Sequence, residues 1–332
     1  NGLQSLNIPE WITSIGSYSF SYCSGIKGTL IIPDNIIDIN VGAFSYCSGL
    51  TNIKICRNIT EIKDYVFRSC SSLINLTIPE WITSIGNFAF SACSGFRGTL
   101  IIPDNINYIG SSAFSYCSRI TDFRISHNVS EISTGLFSYC TSLTKLSIPE
   151  WIVSIRSNAF SYCSGIRGTL TIPESVKIVE SSVFSHCTSF TSLNLSRSLT
   201  QINEKTFEFC TSMAILKIPD SVTFIGANSF SNCVAIMGTL IIPDSVKYID
   251  QFAFSHCSSF TGLKIGSNLT EITPNAFEFC LNLASLTIPE NIIHIGSYSF
   301  TSCTGIGGEI IIPDSVTRID NHAFSNCINF TS

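Results

Sequence analysis

Hydrophobic positions recur along the whole chain with a period of 23 or 24 residues. Phe-x-x-Cys occurs fourteen times, and its spacing runs 24, 23, 23 before it repeats, so that a triplet of rungs forms a longer super-period. Self-similarity of this length indicates a repeat architecture, in which each unit buries its apolar face by stacking on its neighbours. We call the units rungs and number them by their phenylalanines: Phe20, Phe44, Phe67, Phe90, Phe114, Phe137, Phe160, Phe184, Phe207, Phe230, Phe254, Phe277, Phe300 and Phe324.

The third rung shows the elements that the pattern predicts. Residues 50–55 alternate apolar and polar, which is typical of a short strand with its isoleucines inward. After a turn, Ile59 and Ile62 point back to the core, and Phe67 and Cys70 then share one face of a short helical or 3-10 segment. Stacked rungs place the strands side by side in a parallel sheet. We therefore predict an α/β repeat solenoid of fourteen rungs, forming a single domain over residues 1–332.

Proline and glycine mark the turns. Ten of the eleven prolines stand in an Ile-Pro-acid motif, where a residue without an N–H suits a turn that closes a strand. The third rung of each triplet lacks this proline and has Cys56, Ser126, Ser196 or Gly266 instead. The extra residue of each longer rung falls beside a glycine, whose flexible backbone absorbs the insertion: Gly28, Gly98, Gly168, Gly238 or Gly308.

The consensus L-x-x-I-x-I-P-x-x-I-x-x-I-G-x-x-A-F-x-x-C resembles the leucine-rich repeats of the BspA-like (Treponema pallidum) class. Residues 76–93 match it nearly throughout, and the match extends over essentially the whole chain. The third rung of each triplet departs from the family pattern because it lacks proline. The resemblance implies a cell-surface or secreted protein, from bacteria or parasitic protists, that adheres to a host or matrix protein or glycan.

A structural role is the alternative to adhesion. Neither end of the sequence carries the polar capping rung that repeat arrays need for solubility. The chain is therefore expected to be a fragment of a longer array, or to associate end to end into filaments. Monodisperse rods in electron microscopy would favour the adhesin, and fibres would favour the polymer.

Composition excludes several function classes. Charged residues make up only 12% of the chain, its net charge is −5, and no Lys/Arg run forms the basic patch that nucleic acid requires. No apolar stretch approaches the roughly 18 residues of a membrane span. The five histidines, His127, His186, His256, His294 and His322, show no common spacing to a nucleophile and a carboxylate, so we predict neither an enzyme nor a cofactor.

Fourteen of the fifteen cysteines occupy the repeated Phe-x-x-Cys position, which indicates packing. Parallel Cβ vectors from identical rungs do not converge to the torsion that a disulfide needs, so we expect buried, reduced thiols. No Cys/His cluster suggests zinc. Cys56 stands apart in a turn and is expected to be exposed, which makes it the one candidate for a reactive thiol.

All three tryptophans follow Ile-Pro-Glu, and they recur once per triplet of rungs: Trp11, Trp81 and Trp151. Asn35, Ser221 and Asn291 hold this turn position elsewhere, so we expect it to face solvent. The rings could anchor a protein or a glycan, as tryptophan does at interfaces. Alternatively, each ring lies flat on the neighbouring turn.

Four isoleucines recur at the outward-facing position in the middle of a strand, Ile31, Ile101, Ile241 and Ile311. Because the rest of this face is polar, the isoleucines could contact a partner or a second solenoid. Single exposed apolar residues are nevertheless normal on protein surfaces, and that interpretation stays open.

Two further features concern the turns. An acid follows each of the ten turn prolines, as in Glu10 and Asp34, and we interpret these acids as stabilising turns and pairing with charges, with calcium binding as a minor hypothesis. Three N-x-S/T sequons share one position in the turn of the third rung of a triplet: Asn58, Asn128 and Asn268. In a secreted eukaryotic protein, glycans at these positions would stand in a row.

Overall fold

A computed structural model describes residues 6–330 and confirms a parallel β-solenoid. The chain divides into two compact units, with the boundary between Ile166 and Arg167. Unit 1 contains the first seven rungs and unit 2 contains the last seven. Each unit has two columns of parallel strands and a column of turns.

The first column contains the predicted strand, and alternate side chains face the core, as Leu30, Ile53 and Leu100 do. Register shifts at Gly28, Gly98, Gly168 and Gly238 accommodate the extra residue in four of the five longer rungs, as predicted. In unit 1 the strands are β2 (Gly28–Ile31), β4 (Leu50–Lys54), β7 (Gly98–Ile101) and β9 (Ile120–Arg124). In unit 2 they are β12 (Gly168–Thr171), β14 (Phe190–Asn194), β16 (Ile215–Leu216), β18 (Gly238–Ile241), β20 (Phe260–Lys264), β22 (Ser285–Leu286), β24 (Gly307–Gly308) and β26 (Asn329–Phe330).

A second column of two-residue strands follows the turn, and the sequence pattern did not predict it as sheet. Its apolar member is buried in most rungs, as Ile62 is at 3% exposure, so the predicted inward position is confirmed. In unit 1 the strands are β1 (Ser14–Ile15), β3 (Asp38–Ile39), β5 (Glu61–Ile62), β6 (Ser84–Ile85), β8 (Tyr108–Ile109), β10 (Glu131–Ile132) and β11 (Ser154–Ile155). In unit 2 they are β13 (Ile178–Val179), β15 (Gln201–Ile202), β17 (Phe224–Ile225), β19 (Tyr248–Ile249), β21 (Glu271–Ile272), β23 (His294–Ile295) and β25 (Arg318–Ile319).

The predicted helical or 3-10 segments are runs of turns instead, and residues 6–330 contain no helix. In the third rung, Tyr65 and Ser69 have φ values of 61° and 59°, which interrupt a right-handed helix on both sides of Phe67. The N–H of Phe67 donates to the carbonyl of Ala89 in the next rung at 2.9 Å rather than within its own rung. The turns therefore obtain half of their hydrogen bonds from the neighbouring rung.

Positive φ recurs at the same two places in every rung, two residues before and two residues after the phenylalanine. Twenty-six of these residues are not glycine, and they include tyrosine, phenylalanine, histidine and lysine. A left-handed residue with a Cβ costs about 1 kcal/mol. Hydrogen bonds to the next rung, such as Tyr65 N–H to Asn87 O at 2.9 Å, compensate this cost. We call the surface formed by these turns the turn face.

Phenylalanine rings and thiols fill the core of each unit, as predicted. Rings of successive rungs stack with centroids between 5.2 and 6.1 Å apart, as in Phe90–Phe114 at 5.5 Å. The cysteine of one rung donates its S–H to the phenylalanine carbonyl of the preceding rung, as Cys70 does to Phe44 at 3.2 Å. None of the fifteen cysteines, all of which lie within residues 6–330, forms a disulfide, and all except Cys23 are buried. Burial raises the pKa of Cys117 and of Cys163 to about 12.

The prediction that Cys56 is exposed is wrong. Its side chain is only 5% exposed, and its S–H donates to the carbonyl of Ile36 at 3.4 Å. Ser126, at the equivalent position, donates in the same way to Ile106 at 2.6 Å. At Cys56 and Ser126, the position that loses proline thus holds a small, inward-facing side chain that hydrogen-bonds to the preceding rung.

Candidate binding groove

The outward isoleucines are exposed as predicted, with 59% exposure at Ile31, 56% at Ile101, 55% at Ile241 and 74% at Ile311. Three of them have a basic residue directly beside them on the next strand. The register pairs Ile31 with Lys54, Ile101 with Arg124, and Ile241 with Lys264. An apolar side chain and a cation therefore stand together on the outer surface of the first strand column.

The acid after the turn proline binds the turn of the next rung, which supports the interpretation of turn stabilisation. The Asp104 carboxylate accepts hydrogen bonds from the backbone N–H of His127 at 3.0 Å and from its ring Nδ1 at 2.9 Å. These bonds hold the pKa of Asp104 below its ordinary value. In unit 2, Asp244 accepts from the N–H of Ser267 at 2.7 Å.

Each of the tryptophans Trp81 and Trp151 lies in the turn of the rung that follows a third rung of a triplet. Trp151 stacks on the His127 ring at 3.9 Å, and its indole N–H donates to the carbonyl of Ser126 at 3.1 Å. Trp81 makes the same bond to Cys56 at 2.8 Å, with the Arg57 guanidinium 5.7 Å from its ring. Both rings are half-buried, whereas Trp11 is 81% exposed. Two of the three rings thus lie against the neighbouring turn and keep one surface exposed.

These features converge in unit 1, between the fourth and seventh rungs. Ile101, Arg124, His127 and Trp151 line one groove of about 980 Å³, together with Asp104 and Thr77. We call it the strand–turn groove. Arg124 forms no salt bridge among residues 6–330, so its charge is available to a ligand.

The equivalent surface of unit 2 has different chemistry. A groove of about 540 Å³ is lined there by Glu174, Asn194, Arg197, Lys217 and Ser221. Asn194 replaces Arg124, and Ser221 replaces Trp151, one triplet of rungs further along the sequence. The two grooves therefore share a backbone framework and differ in the side chains that they present.

The model of the BspA-type leucine-rich repeat region matches residues 1–121, 109–237 and 236–332, which together span the sequence. The chain belongs to the BspA-type leucine-rich repeat family. No curated protein matches the sequence.

Solved structures of bacterial leucine-rich repeat proteins are similar to this BspA-type chain. One from Bacteroides ovatus superposes with a TM-score of 0.76 at 23% identity, over 96% of this chain and 87% of its own. A leucine-rich cell surface protein from Faecalibacterium prausnitzii gives a TM-score of 0.61 at 25% identity, over 100% of this chain and 89% of its own. The pneumococcal vaccine antigen PcpA gives a TM-score of 0.54 at 17% identity, over 90% of this chain and 76% of its own. The first and last of these likenesses establish the fold alone.

Residues 6–330 of the BspA-type chain contain no helical segment that could span a lipid bilayer. The same residues contain no group of three or more His, Cys, Asp or Glu side chains placed to hold a metal ion.

The three sequon asparagines lie on the surface of the BspA-type chain. The side-chain amide of Asn128 donates to the carbonyl of Asp104 at 2.6 Å, and that of Asn268 donates to Asp244 at 2.7 Å. Asn58 makes the same contact with Asp34. Each amide nitrogen has a second hydrogen, which a glycan would replace. Glycosylation at these sites stays a prediction.

Sequence reasoning missed a repeated cluster on the turn face of unit 2. Ser255 Oγ lies 2.7 Å from His256 Nδ1 and donates to Glu278 at 2.9 Å. Ser185 makes the same contact with His186 at 2.8 Å, one triplet of rungs earlier. Aligning the sequence on the super-period would have revealed both. In a catalytic triad the imidazole lies between the hydroxyl and the carboxylate. Here the serine lies between them, and both serines are buried.

Proposed function

We propose that this chain is a binding protein of the cell surface and that its strand–turn groove holds an extended segment of a protein partner. The observation that carries the proposal is the convergence of Ile101, Arg124 and Trp151 in one groove. Family membership and the 25% identity to a leucine-rich cell surface protein support the location.

The side chains of the groove suggest what the partner segment carries. Tryptophan and arginine dominate the energetics of protein interfaces because they bury large areas and pair with charges. Ile101 offers an apolar contact at 56% exposure. Arg124 offers a guanidinium that can bind a carboxylate with two parallel hydrogen bonds. The segment would therefore carry an apolar anchor close to an aspartate or glutamate, which favours a protein over a neutral glycan here.

Exchanging groove residues for their counterparts elsewhere in the repeat is expected to weaken binding and preserve the fold. The changes are Ile101→Thr, Arg124→Asn and Trp151→Asn. They introduce the residues that stand at the equivalent repeat positions, Thr171, Asn194 and Asn291. The side-chain amide of Asn291 donates to the carbonyl of Gly266 at 3.2 Å. Each change is expected to weaken binding about tenfold, as loss of an interface anchor does. Affinity would be measured by biolayer interferometry against a panel of purified extracellular-matrix proteins.

Ile311→Thr is the matched control, since Ile311 is exposed at the same repeat position and lies outside the groove. Its affinity should equal that of the wild type, and all four variants should melt within a few degrees of it. The proposal is rejected if no matrix protein binds, or if the groove variants bind as tightly as the control.

A further inference from the structure

A second groove lies on the turn face of unit 1. One wall consists of Tyr116, Tyr139 and Tyr162 from the fifth to seventh rungs, whose rings stack at 4.3 Å. The other wall consists of Ser112, Gly135 and Asn158, and the cleft has a volume of about 590 Å³. We call it the serine groove because serines form its floor. It shares no lining residue with the strand–turn groove.

One hydroxyl on this floor has no partner. Ser91 and Ser115 hydrogen-bond to each other at 2.8 Å, and Ser161 donates to the carbonyl of Asn158 at 3.1 Å. Ser138 lies between them, is only 8% exposed and lines the groove. Among residues 6–330 its hydroxyl makes no hydrogen bond with another protein group. Its hydroxyl oxygen is not enclosed by protein and lines the groove, so its hydrogen and its lone pairs are open to a ligand that enters there.

Gly135 opens the groove above Ser138. Its φ is +61°, but twelve of the fourteen equivalent positions hold another residue at a positive φ, so the backbone does not require glycine. A Cβ on Gly135 would lie 2.7 Å from Ser112 Oγ and 3.7 Å from Ser138 Oγ. A larger side chain at this position would cover the floor.

The residues that line the serine groove are uncharged apart from Arg68. The Arg68 guanidinium lies between 5.6 and 5.7 Å from the rings of Tyr46, Tyr65 and Phe88, which engage its charge through cation–π contacts. Serine, tyrosine and asparagine side chains both donate and accept hydrogen bonds, as sugar hydroxyls do.

We propose that the serine groove binds a neutral linear glycan, with Ser138 hydrogen-bonded to a sugar hydroxyl and the tyrosine column packed along the sugar rings. This site is additional to the strand–turn groove and does not depend on the partner proposed for that groove.

The test is a titration of the protein with neutral linear hexasaccharides, namely β-1,4-glucan, β-1,3-glucan, α-1,4-glucan and β-1,4-mannan. At least one is expected to bind with a Kd of about 1 mM or tighter by calorimetry. Ser138→Ala should weaken that binding about tenfold, since it removes one hydrogen bond. Gly135→Asn should abolish it by filling the cleft, because Asn158 and Asn228 already hold this repeat position at φ values of 59° and 55°.

Ser182→Asn places the same side chain at the equivalent position of unit 2, outside the groove, and should bind like the wild type. The proposal is overturned if none of the four hexasaccharides binds, or if Ser138→Ala and Gly135→Asn leave the affinity unchanged. Gly135→Asn should also leave matrix-protein binding intact, so the two proposals can fail separately.

Discussion

The protein is expected to unfold cooperatively as the pH rises from 9 to 11. Burial holds the pKa of Cys117 and of Cys163 at about 12, whereas an unfolded thiol titrates near 9.0. A folded pKa above the unfolded value means that the native state keeps protons that the unfolded state releases. Stability is therefore fully present below pH 9 and is lost as the pH rises toward the folded pKa.

The expected loss is about 1.4 kcal/mol per thiol for each pH unit above the unfolded pKa. Eight deeply buried thiols have a raised pKa: Cys70, Cys93, Cys117, Cys140, Cys163, Cys210, Cys257 and Cys280. Together their titration lowers the free energy of unfolding by on the order of 10 kcal/mol at one pH unit above the unfolded pKa. This loss is comparable to the whole stability of a typical domain. Urea melts followed by circular dichroism at each pH, with a reductant present, would measure this loss.

The double variant Cys117→Ala with Cys163→Ala tests the cause. It should be less stable at pH 7, because two buried sulfurs are lost. Its free energy of unfolding should fall less steeply with pH, because unfolding then releases two fewer protons. Unchanged stability up to pH 11, or an identical slope in the double variant, would show that the thiols do not control alkaline unfolding.

Phe137→Ala is expected to destabilise unit 1 by about 3–5 kcal/mol, the usual cost of removing a buried phenylalanine ring. Phe137 is fully buried and stacks with Phe114 at 6.1 Å, Phe123 at 4.4 Å and Phe160 at 5.8 Å. Because each rung of a solenoid contacts only its neighbours, the cavity cannot be filled from elsewhere. Chemical denaturation would measure the change.

Phe279→Ala is the matched control. Phe279 lies on the turn face and is 38% exposed, and its one stacked ring among residues 6–330 is His256 at 4.6 Å. Its loss should cost about 1 kcal/mol, the value of an exposed aromatic pair. A cost for Phe137→Ala that is no larger than this would contradict the role assigned to the ring column.

The period of the sequence was sufficient to predict the rungs, the first strand column and the buried phenylalanines and thiols, because these depend on spacing alone. It could not predict the turn face. Tyr65 carries no local signal for a positive φ, and its conformation depends on an acceptor, Asn87 O, in the next rung. Cys56 was misassigned for the same reason, since its acceptor lies in the preceding rung.

The candidate site was predictable only in part. The alternation within the strand predicted that Ile101 faces outward, and the turn motif predicted the place of Trp151. The sequence did not reveal that Trp151 stacks on His127, or that Asp104 orients this histidine, because these residues come from three different rungs. End-to-end assembly into filaments stays a prediction.

The positive-φ positions have a consequence for how such a surface can evolve. At the position two residues after the phenylalanine, the same backbone conformation holds tyrosine, serine, alanine, histidine, phenylalanine and asparagine. The conformation is imposed by the stacked neighbours and is independent of the side chain. Mutations in this column can therefore alter the side chains that the turn face presents to a binding partner while the scaffold stays intact, so recognition can diversify faster than the fold.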